Sequence, residues 1–311
     1  MSRSSLAFAL LVLAACKQPK GVQVDARELV PLDATGAFGF ELEPVRSSPL
    51  GALVHGAMQT DAEMKAMTAA IADCNVDLAN LRGMFATVLD NDDRVVAVIE
   101  APKIGNEDTV RCIEKGFARG TGKSDSGLIL FDTRGEVRTL AQEGGGFLVI
   151  LDENAIAVVD KPWEEQFFAS LENPAARNTT TPLAKAVAKV DPSNDVWFAM
   201  ALSDSDRANF SDVQGADGVS TLTAFADLAK GLKLDIVLEA RDAANAKQIE
   251  GSLRTTLDEA KPGLASAGLP ATLLDQTKVT SKDAQVTTTI EIAADALPGI
   301  LTALAPFMAA P

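Results

Sequence analysis

Tyrosine is absent from this chain. Tryptophan occurs only at Trp163 and Trp197, and histidine only at His55. Sugar-binding and peptide-binding grooves usually lean on aromatic surfaces, so both readings lose weight. His55 cannot make a metal site alone, and a zinc site built from acids is atypical. The sequence has no GxSxG and no CxxC, so neither a serine hydrolase elbow nor a redox dithiol motif is present. Positive charge is also short: 28 Lys+Arg stand against 43 Asp+Glu, a formal charge of −15. Such a surface repels phosphate backbones and anionic headgroups, which excludes nucleic acid as a natural partner. The acidity serves solubility, or draws cations and basic partners. The apolar run near the N-terminus, Leu6 to Ala15, is about ten residues, whereas a membrane-spanning helix needs roughly 20.

What is present is ample apolar mass. Of 311 residues, 47% are hydrophobic and 23% charged, a globular composition of about two domains. Met1 to Ala15 carries one positive charge, Arg3, then the short apolar run, then small residues: the pattern of a secretory signal peptide. Leu13-Ala14-Ala15-Cys16 resembles the lipobox of bacterial lipoproteins. The resemblance implies a diacylglycerol on the Cys16 thiol, cleavage before Cys16 and acylation of the new amine. More than one acyl chain anchors a protein stably, whereas one binds marginally. Cleavage removes Arg3 and no acid, taking the formal charge from −15 to −16. Residues 16–34 read as the lipidated cysteine and a polar tether opening with Lys17-Gln18-Pro19-Lys20-Gly21. Lys17 follows the cysteine where an Asp favours inner-membrane retention. The expected address is therefore the cell envelope, outer rather than inner membrane, with the body in the periplasm or on the cell surface.

With Cys16 acylated, Cys74 and Cys112 remain as an even pair. In an oxidising compartment two leftover thiols most simply form a disulfide, with two buried free thiols as the alternative. The bridge would close a loop of about 39 residues, worth about 3–4 kcal/mol in the chain-entropy model.

Periodicity predicts an α+β protein of two similar halves, residues 35–173 and 182–311, each an antiparallel sheet with helices packed on one face. In the first half, GAFGFELEP opens a strand at Gly36. Ser48 and Pro49 start a helix, and Thr60 and Glu63 form a capping box for another that carries Met64, Met67, Ile71 and Cys74 on one face. Paired strands are expected around Asn91-Asp92-Asp93, and a helix over Glu107–Phe117. Hairpins turn at Thr133-Arg134-Gly135 and Glu153-Asn154, and a helix over Trp163–Asn173 closes the half. After a polar linker, Asn173 to Pro182, come a helix over Leu183–Val190, the strand DVWFAMALS and a strictly alternating strand over Leu232–Arg241. A helix over Ala243–Ala260, a hairpin at Ser281-Lys282-Asp283 and the helix ALPGILTALAPF complete it. VVAVIEAP matches LDIVLEAR about 139 residues on, each followed by a helix. The pattern is similar to uncharacterised duplicated lipoproteins of myxobacteria-like Gram-negatives. The residues that carry the likeness are Cys74, Asp77, Arg82 and Cys112. That resemblance implies no catalytic residue.

Several motifs fall short. Gly122-Lys123-Ser124 resembles the end of a P-loop, but Phe117 stands where the first glycine belongs, and a helix precedes it where a strand is required. Asp90-Asn91-Asp92-Asp93 lacks the Gly and distal Glu of an EF-hand loop, and Asp204 and Asp206 are weaker candidates for calcium. Glu164 and Glu165 read as the acidic first turn of a helix, and Asn178-Thr179-Thr180 as an idle sequon. No catalytic, cofactor or metal residue is singled out. The expected function is a non-enzymatic binding or scaffold module with an envelope partner. The alternative is a carrier or sensor of a hydrophobic ligand held between sheet and helices.

Overall fold

A computed structural model describes residues 21–48, 62–88, 91–121, 131–142, 146–191, 193–266 and 276–300. Cys16, the signal segment, His55 and the Gly122–Ser124 stretch lie outside the described residues, as do Ser48's expected helix partner Pro49 and the capping Thr60.

Twelve strands form one antiparallel sheet. They are β1 (Gly36–Glu41), β2 (Arg82–Val88), β3 (Asn91–Glu100), β4 (Asp132–Arg134), β5 (Val137–Gln142), β6 (Gly146–Asp152), β7 (Ala155–Asp160), β8 (Val196–Ala201), β9 (Val219–Asp227), β10 (Gly231–Ala240), β11 (Lys278–Lys282) and β12 (Gln285–Ala293). The spatial order is β11-β12-β10-β9-β8-β1-β2-β3-β7-β6-β5-β4. The chain before the Asn173–Pro182 connector thus supplies seven neighbouring strands and the chain after it supplies five, joined where β1 pairs with β8.

The α-helices bounded within the described residues are α1 (Leu42–Ser47), α2 (Ala62–Asp73), α3 (Glu107–Thr121), α4 (Glu164–Glu172), α5 (Pro182–Ala188), α6 (Asp204–Ala208) and α7 (Ala243–Ser266). They lie on both faces of the sheet, which corrects the expectation of one covered face. Side chains alternate along a strand, so neighbours in sequence face opposite ways. Val96 and Val98 of β3 join a core with Ala157, Val159, Phe167 and Phe168 of α4, and Leu183 and Val187 of α5. Ile99 of the same strand joins Ile150, Ile156 and Val110 of α3. The reason is compositional: Val95–Ile99 and Phe147–Leu151 are apolar at consecutive positions, so both faces demand cover. In the later strands the pattern alternates. Leu222, Leu238 and Val286 pack under α7, while Lys233, Asp235 and Glu239 of β10 point the other way beside Thr287, Thr289 and Glu291 of β12.

Helices α2 and α3 pack unusually close. A Cβ on Gly116 would sit 2.9 Å from the Ala70 Cβ, and one on Gly120 would sit 2.8 Å from the Ala66 Cβ. Cys74 and Cys112 form a disulfide across this pair, with Cα atoms 5.7 Å apart. Bridging residues 38 apart stabilises the fold by about 3–4 kcal/mol in the chain-entropy model.

Three differences from the sequence reading concern the strands. The strand at Gly36 ends at Glu41 and turns directly into α1, with the Leu42 N–H still bonding the Leu81 carbonyl (2.9 Å) as the last rung to the chain before β2. Strand β3 already begins at Asn91, which pairs with Val88, so Asn91–Asp93 lie in the strand. Strand β9 went unread: VSTLTAFAD alternates β-branched polar and apolar residues, and its Thr221 and Thr223 are buried against the sheet's helical cover.

Candidate functional site

The segment expected to be the tail of a loose tether is instead packed. Gly21 has φ +73°, and a Cβ there would meet the Leu151 carbonyl oxygen at 2.4 Å, so only glycine fits. The next N–H, of Val22, donates to that same carbonyl at 2.6 Å. Asp25 caps a 3-10 turn over Ala26–Leu29, accepting from the Arg27 N–H at 2.9 Å and pairing with its guanidinium at 2.6 Å. Arg27 also donates to the Val190 carbonyl (2.6 Å), beyond the end of α5. Leu29 and Val30 then enter the core. Residues 21–30 are therefore a strap, pinned to the end of β6 on one side and to α5 on the other. Asn178 secures it further by donating to the Pro31 carbonyl at 3.1 Å.

Beneath the strap, three strand ends place charge in a row. Register sets Glu41 of β1 opposite Arg82 of β2, and Arg82 opposite Glu100 of β3, all on one face. Arg82 Nε donates to Glu100 Oε2 at 2.6 Å. Arg82 is aimed by the turn before it: the Asp77 carboxylate accepts from the Ala79 N–H (3.0 Å) and from Asn80 Nδ2 (2.7 Å), closing the 3-10 turn Leu78–Asn80. Between strap and strand ends lie two adjoining clefts of about 560 Å³ and 410 Å³, sharing Val24, Glu41, Arg82 and Glu100. The first has an apolar wall of Leu81, Ala101, Pro102, Leu151 and Ala155. The second runs past Met84 and Val98 to Trp197. The Arg27 guanidinium, bonded to Asp25, holds that carboxyl below the usual carboxylate range, so it stays ionised. The cleft offers carboxylates, guanidinium groups and carboxamides. These groups can form ion pairs and hydrogen bonds beside the apolar wall.

The other candidates from the sequence fall into structural roles. Cys74 and Cys112 are bonded to each other. Arg82 and Asp77 reach the cleft, as just described. Glu164, in the first turn of α4, pairs with Arg134 at 2.8 Å. Asp206 forms a capping box with Ser203, whose hydrogen bonds hold its carboxyl below the usual range, and Asp204 pairs with Arg207. Asn178 is buried, its amide donating to Pro31 and to Thr181 Oγ1 (2.9 Å), so the folded sequon is closed. The stretch before Gly122 is helix α3, whose Gly116 and Gly120 serve contact with α2. Among the described residues no cluster of His, Cys, Asp and Glu is placed to hold a metal ion. No helix among them is long and apolar enough to cross a membrane.

Glu41, Glu100 and the strap escaped the sequence reading. The two acids close their strands, but only the register brings them to either side of Arg82. Compared with protein-family models, characterised proteins and solved structures, the chain finds no match.

Proposed function

We propose that this is a lipid-anchored protein of the cell envelope whose body acts as a binding module, with the strap-bounded cleft as its binding site. One observation carries the reading: the strap that lines the cleft begins at Gly21, only five residues after Cys16 in the sequence. The short apolar run before Cys16 and the disulfide between Cys74 and Cys112 support export to an oxidising compartment. Lys17 favours the outer membrane. The carrier reading has less support, because the sheet–helix interior is filled by Val96, Val149, Ala157, Val159 and Val187, all fully buried.

Internal duplication belongs to the same proposal. Phe85 lies opposite Ala97 in the β2–β3 pair, and Ala224 lies opposite Ile236 in the β9–β10 pair. Both strands are offset by 139 residues (224 less 85, 236 less 97), the offset that also aligns VVAVIEAP with LDIVLEAR. A helix then leads to two hairpins in the first unit and to one in the second, and in each the last strand returns beside the third.

Replacing Cys16 by Ser tests the anchor. The variant is expected in the soluble fraction, with the wild-type chain in the outer-membrane fraction of a density gradient. A variant that still sediments with membranes sinks the lipoprotein reading.

A further inference from the structure

With Cys16 as the anchor, the strap limits how far away the bilayer can lie. From Cys16 to Gly21 are five residue steps, which fully extended reach about 18 Å. Acyl chains on Cys16 enter the hydrocarbon, and the headgroup layer above it takes up about 5–8 Å on each side of the bilayer. Gly21 is clamped to the Leu151 carbonyl, and Val22, Gln23 and Val24 already line the cleft. An anchored chain therefore keeps Gly21, at the start of the strap, within about 10–13 Å of the headgroup surface.

The lining then says which headgroup. Arg82 suits a phosphate, which a guanidinium binds in a fork geometry. The carboxylates of Glu41 and Glu100 flank it on the adjacent strands, one step of about 4.8 Å to either side. The row thus presents acceptors for an ammonium group next to a donor for a phosphate. A phosphoethanolamine headgroup carries those two groups a short two-carbon link apart. A quaternary choline has no N–H to donate to the two carboxylates, so it keeps the charge attraction but loses the hydrogen bonds. An anionic headgroup would meet two acids beside Arg82, whose Nε is bonded to Glu100, and Arg27, which is held by Asp25, on a body whose formal charge is −15. The wall of Leu81, Ala101, Pro102, Leu151 and Ala155 can shelter the glycerol end. We propose that the cleft beneath the strap binds the phosphoethanolamine headgroup of a lipid in the membrane to which Cys16 anchors the chain. Resting on the lipoprotein reading, this names the ligand class of the same site.

The test uses the full acylated chain in vesicles of phosphatidylcholine alone or mixed equally with phosphatidylethanolamine. Mass spectrometry of the mature N-terminus first establishes acylation, so failure of the anchor is seen separately. Amide exchange at Val22–Arg27 and Leu81–Met84 should be slower in the mixed vesicles, by about tenfold when the headgroup stands at ten times its dissociation constant. Arg82→Gln should remove the difference while exchange across α2 and α3 stays unchanged; its side chain is 61% exposed, so folding should survive the change. Glu41→Gln combined with Glu100→Gln should do the same. Equal exchange in the two vesicle types, or protection that persists in Arg82→Gln, overturns the proposal. So does protection by dissolved glycerophosphoethanolamine in detergent without any from vesicles, which would assign a soluble ligand.

Discussion

Asp25 and Arg27 are two residues apart in sequence, yet they decide how the strap is held. The carboxylate fixes the guanidinium at 2.6 Å, and the guanidinium reaches the Val190 carbonyl. The hydrogen bond from Arg27 depresses the Asp25 pKa against the opposing effect of burial. A carboxyl with a folded pKa below its unfolded value contributes stability above the unfolded pKa and loses it as pH falls through the folded one. Amide exchange at Ala26–Leu29 should therefore quicken as pH drops below about 4, after correction for intrinsic rates. In Asp25→Asn the strap should already exchange faster at pH 7 and show less of that acid dependence. Identical pH profiles in the two proteins would remove Asp25 from this role. Glu239 follows the same direction for a different balance: burial raises its pKa, and the bonds from Gln285 and Lys189 more than offset it.

At the scale of elements, the join between β1 and β8 is the narrowest dependence in the fold. Gly39 lies opposite Trp197, and a Cβ on Gly39 would meet the indole nitrogen at 2.3 Å. Trp197 is 6% exposed, so its ring has no room to retreat. Gly39→Val is expected to cost about 1–3 kcal/mol, the usual range for overpacking. The midpoint of urea unfolding should fall accordingly. A midpoint unchanged by the substitution would mean that the indole can move aside. On the opposite face of the same join, Phe38 stacks on Phe85 at 4.6 Å between ring centroids, extending the contact to β2. The outer edges are built the other way. Lys278 and Lys282 bound β11, and β4 has three residues, so neither edge invites another strand.

Across the whole molecule, one core ties the two stretches of chain together. Leu183, Val187, Trp197 and Ala199 from after the connector share it with Met84, Val96 and Leu29 from before it. The unit 182–311 by itself would leave the edge of β8 open and expose the apolar face that α5 shares with the strap. Produced alone, it should associate or aggregate on size exclusion, whereas the full body should run as a single species. A monomeric, cooperatively folded 182–311 would show that the join is dispensable.

Much of this was legible in local sequence. The hairpin at Glu153-Asn154, the helix after Trp163 and the alternation of β10 were read from turn chemistry and period, because neighbours within a few residues determine them. The Cys74–Cys112 pairing followed from parity once Cys16 was set apart. Covered faces were harder to read: a run such as Val95–Ile99 announces burial on both sides without saying which helices supply it. Glu41, Arg82 and Glu100 are ordinary strand-end charges in the sequence, separated by up to 59 positions. Only the register of β1, β2 and β3 sets them side by side, and only the packing of Leu29 and Val30 draws the strap over them. The sequence by itself determined most of the elements, the acidity and the short apolar run ahead of Cys16, since these depend on composition and near neighbours. The tertiary structure decided the join of β1 to β8, the two covered faces and the cleft, because each arises from contacts between residues far apart along the chain.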